Sequence, residues 1–398
     1  MTISRRVFLK SGGVALFSLG LDPLFLARAA YAATDRLTAY PPNRPILVCL
    51  FQRGAVDGLN MIVPHGDALY YRERPRIAVP ATDVIDLDGY FGLHPRLAPL
   101  KPWWDAKSLA AIHAIGSPDA SRSHFDAQDY MEAGTPGVKA TPDGWQLPRI
   151  LAGSAPSLAI DDLQAFGLRA PRLQPAARDR LTRAFEQLYA SSATGLLSSS
   201  SQEAFHAVQM LKQLDLAEYR PANDAAYPRG RFGKAMLEIA QLIKADVGVQ
   251  LAFADVTGWD THVNQGASEG QLATRLGEFG QALAAFAQDL GEKLRDVVVL
   301  TMSEFGRTVR ENGNSGTDHG HATAMLVLGG PVNGGTVLGR WPGLDPAQRF
   351  EGRDVQVTTD FRDLFAEILA RHLGARDLSA VFPGFTPDPG RFPGAIRG

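Results

Sequence analysis

The chain has 398 residues, 45% of them hydrophobic and 21% charged, which is the composition of a globular protein with a sizeable core in one large or two ordinary domains. Its formal charge of -2 supplies no electrostatic drive toward nucleic acid. A single cysteine, Cys49, excludes an internal disulfide framework and a cysteine-rich metal cluster.

The first 32 residues read as a leader. "SRRVFLK" (Ser4 to Lys10) carries a twin arginine, the apolar "GGVALFSLG" follows, and "AYA" (Ala30 to Ala32) is a small-x-small cleavage signature. The apolar stretch is short and glycine-rich, and Asp22 and Pro23 interrupt it, so it makes a poor membrane span. An uncleaved anchor is the alternative. The leader holds Arg5, Arg6, Lys10 and Arg28 against Asp22 alone, so its removal shifts the formal charge from -2 to -5. The expectation is an acidic chain, 33–398, exported in the folded state by the twin-arginine machinery to the periplasm or beyond, with no stable membrane span after cleavage.

Along the mature chain, "ILVCLF" (Ile46 to Phe51), "SLAAIHAIG" (Ser108 to Gly116), "VGVQLAFADV" (Val247 to Val256), "DVVVLTMS" (Asp296 to Ser303) and "TAMLVLGG" (Thr323 to Gly330) are short apolar runs suited to buried strands. Between them, Leu272, Leu276, Phe279, Leu283, Phe286, Leu290 and Leu294 recur at helical spacing. Arg231 to Asp246 and Phe361 to Gly374 repeat that pattern, the last ending on a glycine. Alternating strands and helices predict a single α/β domain with a mostly parallel central sheet flanked by helices. The stretch 171–226 reads as a polar helical insertion.

In open parallel sheets, chemistry gathers at the carboxyl ends of the strands. Asp57 follows the first run, Ser121 to His124 the second, Asp260 and His262 the third, and Ser303, Glu304 and Arg307 the fourth. "TDHGH", with Asp318, His319 and His321, precedes the fifth. Each segment has two readings. Asp57-Gly58 is a turn dipeptide or a ligand. Asp260 and His262 lie two apart, as ligands of one ion would on an extended segment, or mark a corner at Trp259. Glu304 is a ligand, a catalytic carboxylate or a helix cap. "DHGH" is a surface turn or a metal-binding pair of imidazoles. Ser123 opens a Ser-x-x-acid capping box with Asp126, or acts as a nucleophile at the positive end of a helix dipole. Mixed nitrogen and oxygen donors without sulfur suit one or two divalent ions, zinc or manganese before calcium.

Together, "SRRVFLK", "GAVDGLNMIVP", "RSHFDAQDYMEAG", "GWDTH" and "MSEFGRTVRENGNSGTDHGHA" resemble a bacterial exported family known only as domain of unknown function 1501. That family looks like a remote member of the alkaline phosphatase and sulfatase superfamily, an α/β fold that holds metal at strand ends and transfers phosphoryl or sulfuryl groups. The resemblance implies Asp57, Asp260, His262, Glu304, Asp318, His319 and His321 as metal ligands. It implies Ser123 or His124 at the reacting centre, with Arg307 pairing with the substrate anion. Three departures stand out. The Cys-x-Pro-x-Arg signature of sulfatases is missing, Phe305 occupies the position after Glu304 where a further ligand is usual, and counting back from Gly134 puts His124 at the nucleophile's place. The expected function is an exported metal-dependent hydrolase or transferase acting on a phosphate or sulfate ester, with a cell-surface polymer as a possible substrate. The alternative is a non-catalytic binding or assembly factor on the same fold.

Overall fold

The computed structural model describes residues 44–138, 219–246, 248–379 and 381–398, with the backbone of three further strands, β1 (Arg6–Lys10), β2 (Gly13–Leu19) and β8 (Ser157–Ala159). The main sheet also contains β3 (Ile46–Arg53), β7 (Leu109–Gly116), β9 (Leu251–Thr257), β10 (Val297–Met302), β11 (Thr323–Gly329), β12 (Val337–Leu338) and β13 (Thr359–Asp360). A second, small sheet pairs β4 (Ile62–Val63), β5 (Ile85–Asp86) and β6 (Gly92–Leu93). The helices are α1 (Gly58–Met61), α2 (Ala68–Glu73), α3 (Lys101–Asp105), α4 (His124–Ala133), α5 (Arg231–Lys244), α6 (Gln271–Leu290) and α7 (Phe361–Arg371).

The ten-stranded sheet has the order β12-β7-β11-β10-β3-β9-β2-β1-β8, with β13 also on β7. It is mixed and mostly parallel: β10, β3, β9 and β2 run one way, while β11 runs against both β10 and β7. The reversal has a local cause. Residues 303–322 contain no helix to carry the chain back across the sheet, so β11 must start at the end where β10 stopped. The amino end of β11 therefore lies beside the carboxyl ends of β3, β7, β9 and β10, and "TDHGH" arrives there with it.

Alternation along β3 divides the core. Val48 and Leu50 pack with α5 and α6, whose Met236, Ile239, Leu276, Phe279, Leu283 and Phe286 are buried. Leu47, Cys49 and Phe51 pack on the other face with Phe361, Leu364, Phe365 and Ile368 of α7. The Cys49 thiol is buried, and desolvation pushes its pKa up, so it is an inert core residue. Each large apolar side chain so buried stabilises the fold by roughly 1.5–3 kcal/mol relative to exposure.

Two expectations meet different outcomes here. Of the anticipated helical insertion, residues 171–218 lie outside the described residues. Residues 219–226 form an irregular segment rather than a helix. Pro221 and the positive φ of Asn223 and Asp224 oppose a helix, and Tyr219 and the Ala222 amide bind Asp289 of α6 instead. Of the anticipated leader, residues 6–10 and 13–19 form a hairpin on the outer edge of β9, with Leu16 opposite Leu251 and Leu19 opposite Ala254. Among the described residues, no helix is long and apolar enough to cross a membrane.

His113, in the middle of β7, links fold to pH. Its Nε2 donates to the Ile62 carbonyl and its Nδ1 accepts from the Ala114 amide, so the buried ring is held neutral. Desolvation depresses its pKa from 6.5 to about 4. The unfolded chain binds this proton first, so the stability contributed is complete above pH 6.5 and disappears as pH falls toward 4. At about 1.4 kcal/mol per pH unit, His113 accounts for a loss of about 3 kcal/mol over that window. Urea unfolding at pH 7 and pH 4 checks this, and His113→Gln is expected to remove that share of the pH slope.

Candidate metal centre

At the carboxyl end of β9 the chain turns a corner on Trp259, which is buried with its Nε1 donating to the Val256 carbonyl at 2.9 Å. The corner presents Asp260. The corner reading of "GWDTH" holds. Gly54, just past β3 with φ +113°, makes room for it: a Cβ there would lie 2.8 Å from the Asp260 amide nitrogen.

Four side chains from two loops and one helix end converge. His124 Nε2 is 3.6 Å from Asp260 Oδ2, and His262 Nε2 is 3.0 Å from Asp260 Oδ1. His319 Nε2 lies 3.4 Å from Asp260 Oδ1 and 3.0 Å from His262 Nε2. One ligand atom from each of His124, Asp260 and His319 falls within 4.8 Å of the others.

Each ring is held from behind through its other nitrogen. His124 Nδ1 meets Glu304 Oε1 at 2.8 Å, His319 Nδ1 meets the Arg122 carbonyl at 2.8 Å, and His262 Nδ1 lies 3.3 Å from Asp318 Oδ1. A carbonyl or carboxylate on Nδ1 places the proton there and leaves a lone pair on Nε2, the arrangement that metal-binding histidines use. His124 Nε2 is buried, with no hydrogen-bond partner among the described residues. Facing lone pairs 3.0 Å apart on His262 and His319 are likewise unfavourable until a proton or a cation comes between them.

The hydrogen bond that His124 Nδ1 donates to Glu304 raises the His124 pKa against the opposing effect of burial. Burial lowers the His319 pKa and keeps that ring neutral. Burial works to raise the Asp260 pKa, but the hydrogen bond and charge of Arg307 outweigh it, and the carboxyl sits below the usual range. Glu304 is also lowered: burial opposes ionisation, while His124, Gln128 Nε2 at 2.8 Å and the Gly54 amide at 2.8 Å stabilise the carboxylate. The hydrogen bond from Asn312 lowers Asp318.

The other anticipated residues sit outside this convergence. Asp57 is fully buried in an ion pair with Arg74 at 2.6 Å, and Gln265 Nε2 donates to the same oxygen at 2.6 Å. Gln265 Oε1 accepts the hydroxyls of Thr261 and Thr317. Asp57 thus ties together the two loops that carry Asp260, His262, Asp318 and His319. His321 turns away: its Nε2 binds the Ser117 carbonyl and its ring lies 4.2 Å from Phe350. Arg307 is buried, with donors engaged by the carbonyls of Gly54, Ala55, Trp259 and Thr317 and by Asp260 at 2.5 Å, so it secures Asp260 rather than facing solvent. Glu304 caps no helix, since none follows it. Ser123 is exposed and caps α4, its oxygen accepting the Asp126 amide at 3.5 Å.

The glycine of "DHGH" has its own reason. A Cβ on Gly320 would lie 2.4 Å from the Arg307 carbonyl carbon, where Arg307 and His319 form a β-bridge. Sequence reasoning missed Gln128, Gln265, Asn312 and the ring of Phe305, which packs 5.0 Å from both His124 and His319. Only Gln128 carried a signal, standing four residues after His124 on one helix face.

An α/β protein with a mixed sheet and an imidazole-rich cluster at its strand ends is the class that fold and site define. Residues 146–384 match the model of a family described as a protein of unknown function, DUF1501, and the chain belongs to that family. No curated protein matches the chain.

Proposed function

We propose that this chain is an exported protein that holds a divalent metal ion between His124, Asp260, His262 and His319 and uses it to cleave or transfer a phosphate or sulfate ester. One observation carries the reading. Three imidazoles present Nε2 edges toward one carboxylate, each with its Nδ1 against an acceptor. Three nitrogens and one carboxylate favour zinc over manganese, magnesium or calcium. Asp260 and His262 keep 44% and 39% of their side-chain surface exposed, so a ligand from solvent can reach the centre, as a catalytic site requires and a closed structural site does not. A bound ion supplies Lewis acidity to an ester oxygen and lowers the pKa of an attacking hydroxyl or water. The chain orients the rings through Glu304, Asp318 and the Arg122 carbonyl, and Ser123, exposed beside His124, is the hydroxyl proposed to accept the transferred group. The alkaline phosphatase and sulfatase resemblance and the twin-arginine leader support the same assignment, since that route exports proteins already folded, often around a metal or cofactor.

The engagement of all three Arg307 side-chain nitrogens by the protein favours a second reading, a non-catalytic binding factor that keeps the ion. Elemental analysis of chain purified from the export compartment without chelator, followed by turnover on a panel of phosphate and sulfate esters, separates the two. About one zinc per chain with turnover is the expected result. Zinc without turnover selects the second reading, and a metal-free chain that takes up no zinc sinks both.

A further inference from the structure

If Arg307 secures Asp260, another cation must meet an anionic substrate at the proposed centre, and this inference rests on that proposal. Four arginines touch the residues of the centre or their supports. Arg307 is buried with its donors engaged. Arg53 is held by Asp255 at 2.8 Å, Glu132 at 2.7 Å and Gln128 at 3.0 Å. Arg122 grips Asp354 through both Nε and Nη2 and pairs with Glu351 at 2.7 Å.

Arg353 differs. It retains 40% of its side-chain surface, and its carboxylate contact, Nη1 to Asp354 Oδ2, is long at 3.7 Å. Its Nη2 donates to the backbone carbonyl of His319 at 2.8 Å, which moors the guanidinium to a residue of the centre. The neighbouring Asp354 is held more closely by Arg122, at 2.7 Å, which also pairs with Glu351. We propose that Arg353 is the anion-recognising residue of this site, pairing its Nη1 side with the non-bridging oxygens of a tetrahedral oxyanion, phosphate or sulfate, bound at the centre. A guanidinium presents parallel donors suited to two such oxygens, and a charge-assisted bond of this kind is among the stronger ones available.

The test uses the full chain loaded with one equivalent of zinc and freed of excess ion, titrated calorimetrically with inorganic phosphate and, separately, inorganic sulfate. Arg353→Gln, which can still donate to the His319 carbonyl, is expected to weaken oxyanion binding about tenfold or more, the loss of one charge-assisted hydrogen bond. Arg353→Lys is expected to recover part of that loss, because it restores charge without the fork. Zinc affinity, measured in parallel, is expected to change less than threefold in both variants. Oxyanion affinity within twofold of the parent in folded, zinc-loaded Arg353→Gln would overturn the assignment while leaving the metal centre standing. A zinc-loaded parent that binds neither anion overturns it as well. Failure of the parent to take up zinc is a different result and removes the underlying proposal.

Discussion

Replacing Asp260 by asparagine is expected to lower zinc affinity by at least about a hundredfold, beyond the 10–100-fold typical of changes to groups behind the ligands. Asp260 is the one group that all three imidazoles approach, at 3.6, 3.0 and 3.4 Å. Asparagine keeps its volume and an acceptor for Arg307 but removes the negative charge that gathers a cation among neutral rings. Competition titration with a zinc-binding dye reads the affinity, and circular dichroism verifies that the variant is folded. Parent-like affinity in the folded variant would rule Asp260 out as a ligand. His319→Ala provides an independent check, since it removes a ring without touching Arg307.

Asp57→Ala acts by a different route and produces the largest expected stability change. It leaves the fully buried Arg74 guanidinium without its carboxylate, 2.6 Å away in the parent, and such uncompensated burial costs about 3–5 kcal/mol. Arg74 keeps Asn60 Oδ1 and the carbonyls of Thr308 and Val309, which places the expectation toward the lower end. Urea unfolding measures the loss. The zinc stoichiometry of the molecules that remain folded is expected to stay at the parent value. Folded Asp57→Ala that has lost its zinc with unchanged unfolding midpoint would instead make Asp57 a ligand, as the superfamily resemblance implies.

How much of this was legible in the sequence follows from the range of each interaction. Apolar runs and helical spacing are local, so β3, β7, β10, β11, α5, α6 and α7 could be read from composition and period within a residue or a few of their ends. The direction of β11 could not be read from its own residues, because it depends on the helix-free connection before it. The site was legible as an inventory. Asp260, His262, Glu304, Asp318 and His319 all stand at strand ends and all reach the cluster or the shell behind it. Their division into facing groups and supports was not legible, because it depends on which nitrogen of each ring meets an acceptor from a distant loop. Glu304 reaches His124 across 180 positions, and Arg122 holds His319 across 197.

"GNSGTDHGHATAMLVLGG" shows the division in one stretch. By itself the sequence determined that an acid and two imidazoles precede a buried strand, with glycine where the chain must bend. Only the tertiary structure decided that His319 enters the cluster while His321 binds Ser117, that Asp318 stands behind His262, and that Gly320 is required by the Arg307 backbone. The physical reason is that residue type and spacing set which groups are available at a strand end. Their orientation is set by hydrogen bonds and close contacts with segments remote in the chain, and no local pattern encodes those.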